Sequence, residues 1–339
     1  MTAPTQPRPS DLMSPPADPQ PAPRLVAVTG ATGFVGACLV RRLAEAGLEV
    51  RILTRRMPTS LPKAARLELV LGDLDDAAAL RKLVAGADAL VHVAGIIKAR
   101  HARDFQAVNV EGTRHVAEAL TDAAPRIPVV HVSSLAARAP HLSPYAASKR
   151  GSEEAMASIA SRQPLTVIRP PAVYGPGDIE ILPMFRAAAA GLCPVPAASG
   201  ARLSLIHVQD LATAIAAALK TPPRHPLYEI DDGHAGGYSW PEIATALSQA
   251  LERPVRSFRL PRPVMTVVAA AVEGHRSLGG PITALCFDKL GELYHPDWVA
   301  SGPRLEAETS WRPAFALAEG FRDTIAGYRA AGWLRPMAR

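Results

Sequence analysis

Val26-Ala-Val-Thr-Gly-Ala-Thr-Gly-Phe-Val-Gly36 runs an apolar strand into glycines at 30, 33 and 36, and a helix-like Ala-Cys-Leu-Val-Arg-Arg-Leu follows. A strand that turns this sharply into a helix aims the helix's free backbone N–H groups at a dinucleotide pyrophosphate, and residues without side chains allow the close approach. Three separate jobs are expected of the glycines: Gly30 makes the turn, Gly33 admits the phosphates and Gly36 lets helix and strand touch. Thr32, Phe34 and Val35 share the turn and are counted with the glycines as cofactor contacts. Ala37 to Ala46 continues as a helix with Leu39, Val40 and Leu43 on one face, Gly47 stops it, and Leu48 to Leu53 reads as a second strand. That completes the βαβ unit in which the glycine pattern has mechanical meaning.

With 339 residues, 48% hydrophobic and 20% charged, the chain can bury one large α/β domain with a smaller lobe. The proline-rich residues 1 to 24 are expected to be a disordered tail, and they lack the apolar core of a signal peptide. The longest apolar stretch, Val264 to Val272, falls far short of the roughly 20 residues of a membrane span, which predicts a buried or interfacial helix and no integral membrane segment. Cys38, Cys193 and Cys286 are widely spaced and form no Cys-x-x-Cys pair, so neither a disulfide framework nor a zinc site is expected, and a reducing cytoplasm is inferred. A formal charge of +6 comes from scattered arginines without an aromatic-interleaved basic run, which argues against nucleic acid and for an anionic cofactor.

Strand-like segments at 25–29, 48–53, 67–71, 88–93, 127–132 and 165–168 alternate with helix-like segments, among them Asp76 to Ala85, Phe105 to Ala124 and Tyr145 to Ser161. Such alternation predicts a Rossmann-type, doubly wound parallel sheet with helices on both faces. After Ile168 prolines and glycines multiply, and a substrate-binding lobe is expected over 169–202 and 233–335. Leu203 to His207 as a strand, Gln209 to Leu219 as a helix and Leu227 to Ile230 as a strand are expected to return to the nucleotide-binding domain of 25–168, so that 203–232 belongs with it. Residues 238 to 334 read as alternating helices and loops.

Tyr145-Ala-Ala-Ser-Lys149 places a phenol and an ammonium on one helix face. The ammonium is expected to lower the phenol's pKa, and such a tyrosine can exchange a proton with a carbonyl or alcohol oxygen while a hydride moves. The pair follows a strand ending in Val132-Ser133-Ser134, and strand ends are where a parallel sheet opens onto its ligand. Ser134 is the candidate to hold the reacting oxygen; one of Ser133 and Ser134 is expected only to cap the strand end.

At these residues the chain resembles the extended short-chain dehydrogenase/reductases, the epimerase/dehydratase-like class. Thr29 to Gly36 is similar to that class's glycine fingerprint and Tyr145-x-x-x-Lys149 to its catalytic pair. Gly72-Asp73-Leu74 resembles the adenine contact, Val93-Ala94-Gly95 the fourth-strand motif, and Asn109 the central-helix asparagine. Arg169-Pro-Pro-Ala-Val-Tyr-Gly-Pro-Gly177, which includes Pro171, resembles the loop opening the substrate lobe, and Trp311-Arg-Pro with Leu317-Ala-Glu-Gly the C-terminal ending. The resemblance covers about residues 25 to 334. It implies Tyr145 as acid/base, Lys149 on the nicotinamide ribose, Ser134 orienting the substrate oxygen, and Asn109 holding a helix distortion and a relay water. It also implies cofactor contacts from Asp73, Leu74, Ala94, Gly95 and Pro171.

The second strand ends Ile52-Leu53-Thr54-Arg55-Arg56, without the carboxylate that an NAD site presents to the ribose 2′-hydroxyl. A planar, permanently charged guanidinium suits a 2′-phosphate, so NADP is the expected cofactor, with Arg55 before Arg56 as its contact and NAD as the alternative. His92 and His131 read as sheet residues and His207 as a pocket-border residue with a structural role; none has metal-ligand spacing. The expected activity is an NADPH-preferring interconversion of ketone and secondary alcohol. The alternative is a nucleotide-sugar epimerase or dehydratase using the cofactor transiently. The family's sugar-nucleotide members usually place a basic residue just before the segment matching Ile206-His207-Val208; here Ser204-Leu205 stands there, with Arg202 earlier. A cofactor-binding scaffold without turnover would be expected to lose Tyr145 or Lys149, and both are present. One small-molecule substrate is expected as partner, and a homodimer is left open.

Overall fold

The computed structural model describes residues 23–58, 66–123, 126–195, 198, 200–221, 223–277 and 287–335. The expected tail, apart from its last two residues, and Cys286 lie outside the described residues.

Six strands, β1 (Leu25–Thr29), β2 (Glu49–Thr54), β3 (Leu67–Leu71), β4 (Ala89–His92), β5 (Val129–Val132) and β6 (Leu165–Arg169), join Leu227–Glu229 in a parallel sheet. Its order is Leu227–Glu229, β6, β5, β4, β1, β2, β3. Continuous apolar runs such as Leu-Val-Ala-Val in β1 and Ala-Leu-Val in β4 suit strands covered on both faces. One face packs the helix Phe34–Glu45 and the helix Val208–Lys220 around Leu39, Leu43, Leu211 and Ile215. The other packs helices 77–84, 112–123 and 144–157 around Leu80, Leu83, Leu120 and Met156. Strand order reverses between β1 and β4, so the crevice at their C-terminal ends is where a doubly wound sheet takes its ligand.

Leu203 to His207 departs from expectation. Instead of one strand returning to the large sheet, Arg202–Leu203 pairs with Tyr238–Ser239 and Asp297–Trp298, while Leu205–His207 pairs with Ala172–Tyr174. Ser204 divides the two halves: its Oγ donates to Asp231 Oδ2 at 3.0 Å and accepts from Ala300 N at 3.1 Å. The following helix and Leu227–Glu229 do return, the latter to β6. The stretch 238–334 is also more than helices and loops, because Tyr238–Ser239, Arg256–Arg259 and Asp297–Trp298 are short strands. Their brevity leaves no period-two pattern to read.

The lobe has its own core, in which Tyr174, Phe185, Phe321 and Tyr328 meet edge to face at ring separations of 5.2–5.4 Å. A buried ionic chain ties it to the sheet. Arg169 donates to both carboxylate oxygens of Glu153 at 2.7 Å and to Glu229 at 3.3 Å, and Glu229 accepts from the Ser301 backbone N and from Arg138.

Candidate active site

Gly30 adopts φ 72°, and a Cβ there would lie 2.6 Å from Ala94 N; at Gly36 it would lie 2.0 Å from Gly30 O. Both positions therefore exclude any side chain, one for the turn and its approach to β4, the other for helix-on-strand contact. Gly33 differs: an added Cβ meets only Gly30 O, at 3.4 Å, so its outer side is open. The first helical hydrogen bond there runs from Ala37 N to Gly33 O at 2.8 Å, which leaves the preceding N–H groups of Phe34, Val35 and Gly36 directed outward. This open cradle fits a pyrophosphate.

The remaining candidates follow the C-terminal ends of the strands β1, β2, β3, β4 and β6. Thr32 is exposed on the turn, and Arg55 and Arg56 are exposed just beyond β2, where Thr54 Oγ1 donates to the Arg56 carbonyl at 2.7 Å. Asp73 follows β3 and accepts from Asp75 N at 3.0 Å, while Leu74 packs against Gly112. Ala94 N donates to Thr29 Oγ1 at 3.3 Å, and Gly95 leaves room beside Asn109 Oδ1 and Lys149 Nζ, which a Cβ would approach to 3.1 and 3.9 Å. Pro171 is buried after β6.

Ser143 begins the helix Pro144–Ala157 by accepting from Ala146 N at 2.9 Å, with Pro144 at the first helical position. The half-buried Tyr145 lies on its first turn, with the Ser134 hydroxyl near enough to its phenol to pull the phenol's pKa down. Ser134 also takes Ala136 N at 3.2 Å, whereas Ser133 points away and donates to Glu153 at 2.5 Å. The two serines are thereby distinguished: Ser134 faces Tyr145, and Ser133 belongs to the buried ionic chain. Lys149 is buried one turn on and donates to Val132 O at 2.8 Å.

Electrostatics depart from the sequence expectation. Burial pushes the Tyr145 phenol up to about 12, the neighbouring Ser134 hydroxyl opposing it and the Glu292 carboxylate adding to it. Burial also pushes Lys149 down to about 8, partly offset by Glu153. Desolvation thus outweighs the expected lowering of the tyrosine by its lysine neighbour, and at neutral pH Tyr145 holds its proton.

The helix that runs through Ala102–Ala123 is π-wound over Gln106–Glu111, and Asn109 sits within that turn. Asn109 Oδ1 accepts from Ile96 N at 2.8 Å, and its Nδ2 donates to Ile96 O at 3.0 Å and Ser148 Oγ at 2.9 Å. It therefore pins the loop after β4 to the residue before Lys149. His92 bonds Thr29 at 2.7 Å and Thr113 at 2.9 Å and stacks on His131 at 5.2 Å; burial holds both imidazoles neutral. His207 lies 3.2 Å from Asp323 in the lobe, with its pKa pushed down to about 4 mainly by burial. Cys38 and Cys193 are free and buried, and no metal-ligand cluster occurs among the described residues.

Two residues near Tyr145 carry no mark in the sequence. Lys289 Nζ lies 4.1 Å from the Tyr145 ring centroid and 2.8 Å from Glu292, which accepts from Ser143 Oγ. Only the Lys-x-x-Glu helical spacing hints at that pair, and nothing local says which tyrosine it would cover.

The model of the NAD dependent epimerase/dehydratase family matches residues 26–230. The chain belongs to that family. Family relatives include a ceramide reductase from Caulobacter vibrioides, 41% identical over 312 residues, spanning 91% of this chain and 96% of the relative. A putative dihydroflavonol 4-reductase from Synechocystis is 34% identical over 209 residues, spanning 55% of this chain and 60% of the relative. Among solved structures, a putative epimerase from Burkholderia cenocepacia has a TM-score of 0.70 at 24% identity, covering 91% of this chain and 99% of that one. DesIV, a dTDP-glucose 4,6-dehydratase from Streptomyces venezuelae with NAD and TYD bound, has a TM-score of 0.67 at 24% identity, covering 91% and 98%. At those identities the structural likeness bears on the fold, and family membership makes the chain an NAD-dependent type of enzyme.

Proposed function

We propose that this enzyme reduces a ketone to a secondary alcohol at the expense of NADPH, and that the ketone belongs to a long-chain amide of the ceramide class. The observation that carries the reading is the buried Lys149, held by Val132 O one turn from Tyr145, with Ser134 beside the phenol. A phenol that keeps its proton at neutral pH is set to give it, which is what a carbonyl oxygen needs as it becomes an alcohol.

When bound, the dinucleotide would supply the hydride. The open turn at Gly33 and the N–H groups of Phe34 and Val35 would hold its pyrophosphate, with Asp73, Leu74, Ala94, Gly95 and Pro171 lining the crevice. Ser134 Oγ would hold the substrate carbonyl oxygen beside the Tyr145 hydroxyl. As the carbonyl carbon takes the hydride, that oxygen takes the Tyr145 proton, leaving a phenolate. The Lys149 ammonium, charged below about pH 8, would offset it and contact the nicotinamide ribose. Asn109, pinned to Ile96 and Ser148, would fix the helix turn beside Lys149 and hold a relay water. Arg55 would meet the 2′-phosphate.

Two features favour an uncharged substrate headgroup over a sugar nucleotide. Arg202 is committed to its own lobe, donating to the carbonyls of Gly236 and Gly237 at 2.6 Å each, and Ser204 is committed to Asp231. The substrate class follows the relative named ceramide reductase, which matches over nearly its whole length. The test follows NADPH absorbance with a long-chain keto amide and, separately, with uridine- and thymidine-diphosphate sugars. Net oxidation with the keto amide is expected, and Arg55→Ala should weaken NADPH binding by about tenfold while sparing NADH. Turnover of a sugar nucleotide without net oxidation would replace this reading with the epimerase/dehydratase one.

A further inference from the structure

The helix Arg262–Ser277 is apolar on the wrong side. Its inner face is accounted for: Met265 and Ala269 are buried against Leu290, with Leu260, Leu293 and Tyr294 around them. The opposite face presents Val264, Val267 and Val268 at 47%, 70% and 39% exposure, with Pro263, Ala270 and Ala271 also exposed. A solvated helix face ordinarily carries charge, and single exposed apolar residues are common where a contiguous set is not. The strand Arg256–Arg259 that leads into the helix has an exposed apolar side of its own. Arg256 pairs with Leu192 and Phe258 with Pro194, so Leu192 and Phe258, 47% and 44% exposed, share the outer face of that small sheet.

Charge identifies the occupant. From Glu252 to Glu273 the chain has four arginines against the two carboxylates at its ends, and Arg253, Arg256, Arg259 and Arg262 are all exposed, so the stretch is net basic. A second copy meeting this face about a two-fold axis would set like charges together, whereas an anionic lipid surface complements them. No helix among the described residues is long and apolar enough to cross a membrane, so the geometry is that of a helix lying in the interface. Position adds a use: Arg262 and Thr266, with Leu290 and Gly291, wall a cleft of about 750 Å³ whose other side is Pro140 to Pro144 and Ala147, at the start of the helix that carries Tyr145.

We propose that the outer face of residues 262–272, with the arginine-bearing strand before them, docks on an anionic bilayer surface and turns the cleft at the start of the Tyr145 helix toward membrane-dissolved substrate. The docking stands on the patch itself; the delivery of substrate rests on the keto-lipid reading above.

Sedimentation of the full chain with phosphatidylcholine vesicles, with and without phosphatidylglycerol, tests it. Binding to the anionic vesicles is expected to be at least about tenfold tighter than to the neutral ones, and Arg256→Glu should weaken it by about fivefold or more. Val267→Glu, a change at a solvent-facing position, should weaken it by about tenfold. That variant should keep its rate on a water-dispersed short-chain keto amide and lose rate on the same headgroup embedded in vesicles. Absent binding, binding indifferent to Val267→Glu or to lipid charge, or a Val267→Glu change from dimer to monomer without any vesicle binding would overturn the docking. Vesicle binding as expected with no NADPH oxidation on either ketone upholds docking and sinks the reductase reading; soluble turnover without vesicle binding does the reverse.

Discussion

Tyr145 and Lys149 are displaced in opposite directions by the same cause. Burial raises the phenol to about 12 and lowers the ammonium to about 8, so each is pushed toward its neutral form. Replacing Tyr145 with Phe removes the proposed proton donor and should lower kcat by about 10²–10⁴-fold with little change in NADPH affinity, measured by steady-state kinetics beside a fluorescence titration. Lys149 makes a stability prediction as well. Between about 8 and its ordinary 10.5 the unfolded chain binds more protons than the folded one, so this residue's contribution to stability rises with pH across that window. Below about pH 8 the buried charge is a cost in full. Lys149→Met abolishes it, and denaturant unfolding should find the variant gaining on the parent by about 2–3 kcal/mol more at pH 7 than at pH 10.

At the scale of elements, the turn from β1 into the helix Phe34–Glu45 concentrates the steric demands of the fold. Gly36→Ala would drive a methyl into Gly30 O, backbone against backbone, and relief requires the helix to back away from the strand. A loss of about 1–3 kcal/mol in thermal unfolding, with at least tenfold weaker nucleotide binding, is expected. Gly30 and Gly36 were legible in the sequence because each serves a backbone constraint that no other residue meets. So were β1 to β6, whose apolar runs are long enough to declare themselves, and the Tyr145 helix, whose entry Ser143-Pro144 marks itself chemically. The division at Ser204 was not legible, since it depends on Asp231 and Ala300, distant in the chain. Nor was the position of Lys289 over Tyr145, a contact across more than a hundred residues. The expected lowering of the tyrosine failed for a related reason: spacing shows which charge is near, while desolvation depends on everything else around it.

Over the whole molecule, the lobe and the sheet meet through Arg169, Glu153, Glu229, Arg138 and Ser301, and the same chain reaches Ser133 beside the Tyr145 partner Ser134. Glu229 is almost wholly buried, so Glu229→Ala would leave the Arg169 and Arg138 guanidinium groups short of a countercharge. A cost of about 3–5 kcal/mol in denaturant unfolding is expected, with Glu229→Gln recovering part of it through its remaining hydrogen bonds. Such a joint holds the lobe over the cleft, where Lys289 and Glu292 reach back to Tyr145 and Ser143. In the proposed reaction Tyr145 gives a proton as a hydride arrives at a ketone carbon. The most direct measurement is isotope transfer from NADPH deuterated at C4 of the nicotinamide, with a long-chain keto amide as acceptor and mass spectrometry of the product. One deuterium fixed at the new carbinol carbon, lost together with net NADPH oxidation in Tyr145→Phe, is the predicted result. A product without deuterium, or full transfer in Tyr145→Phe, would contradict it.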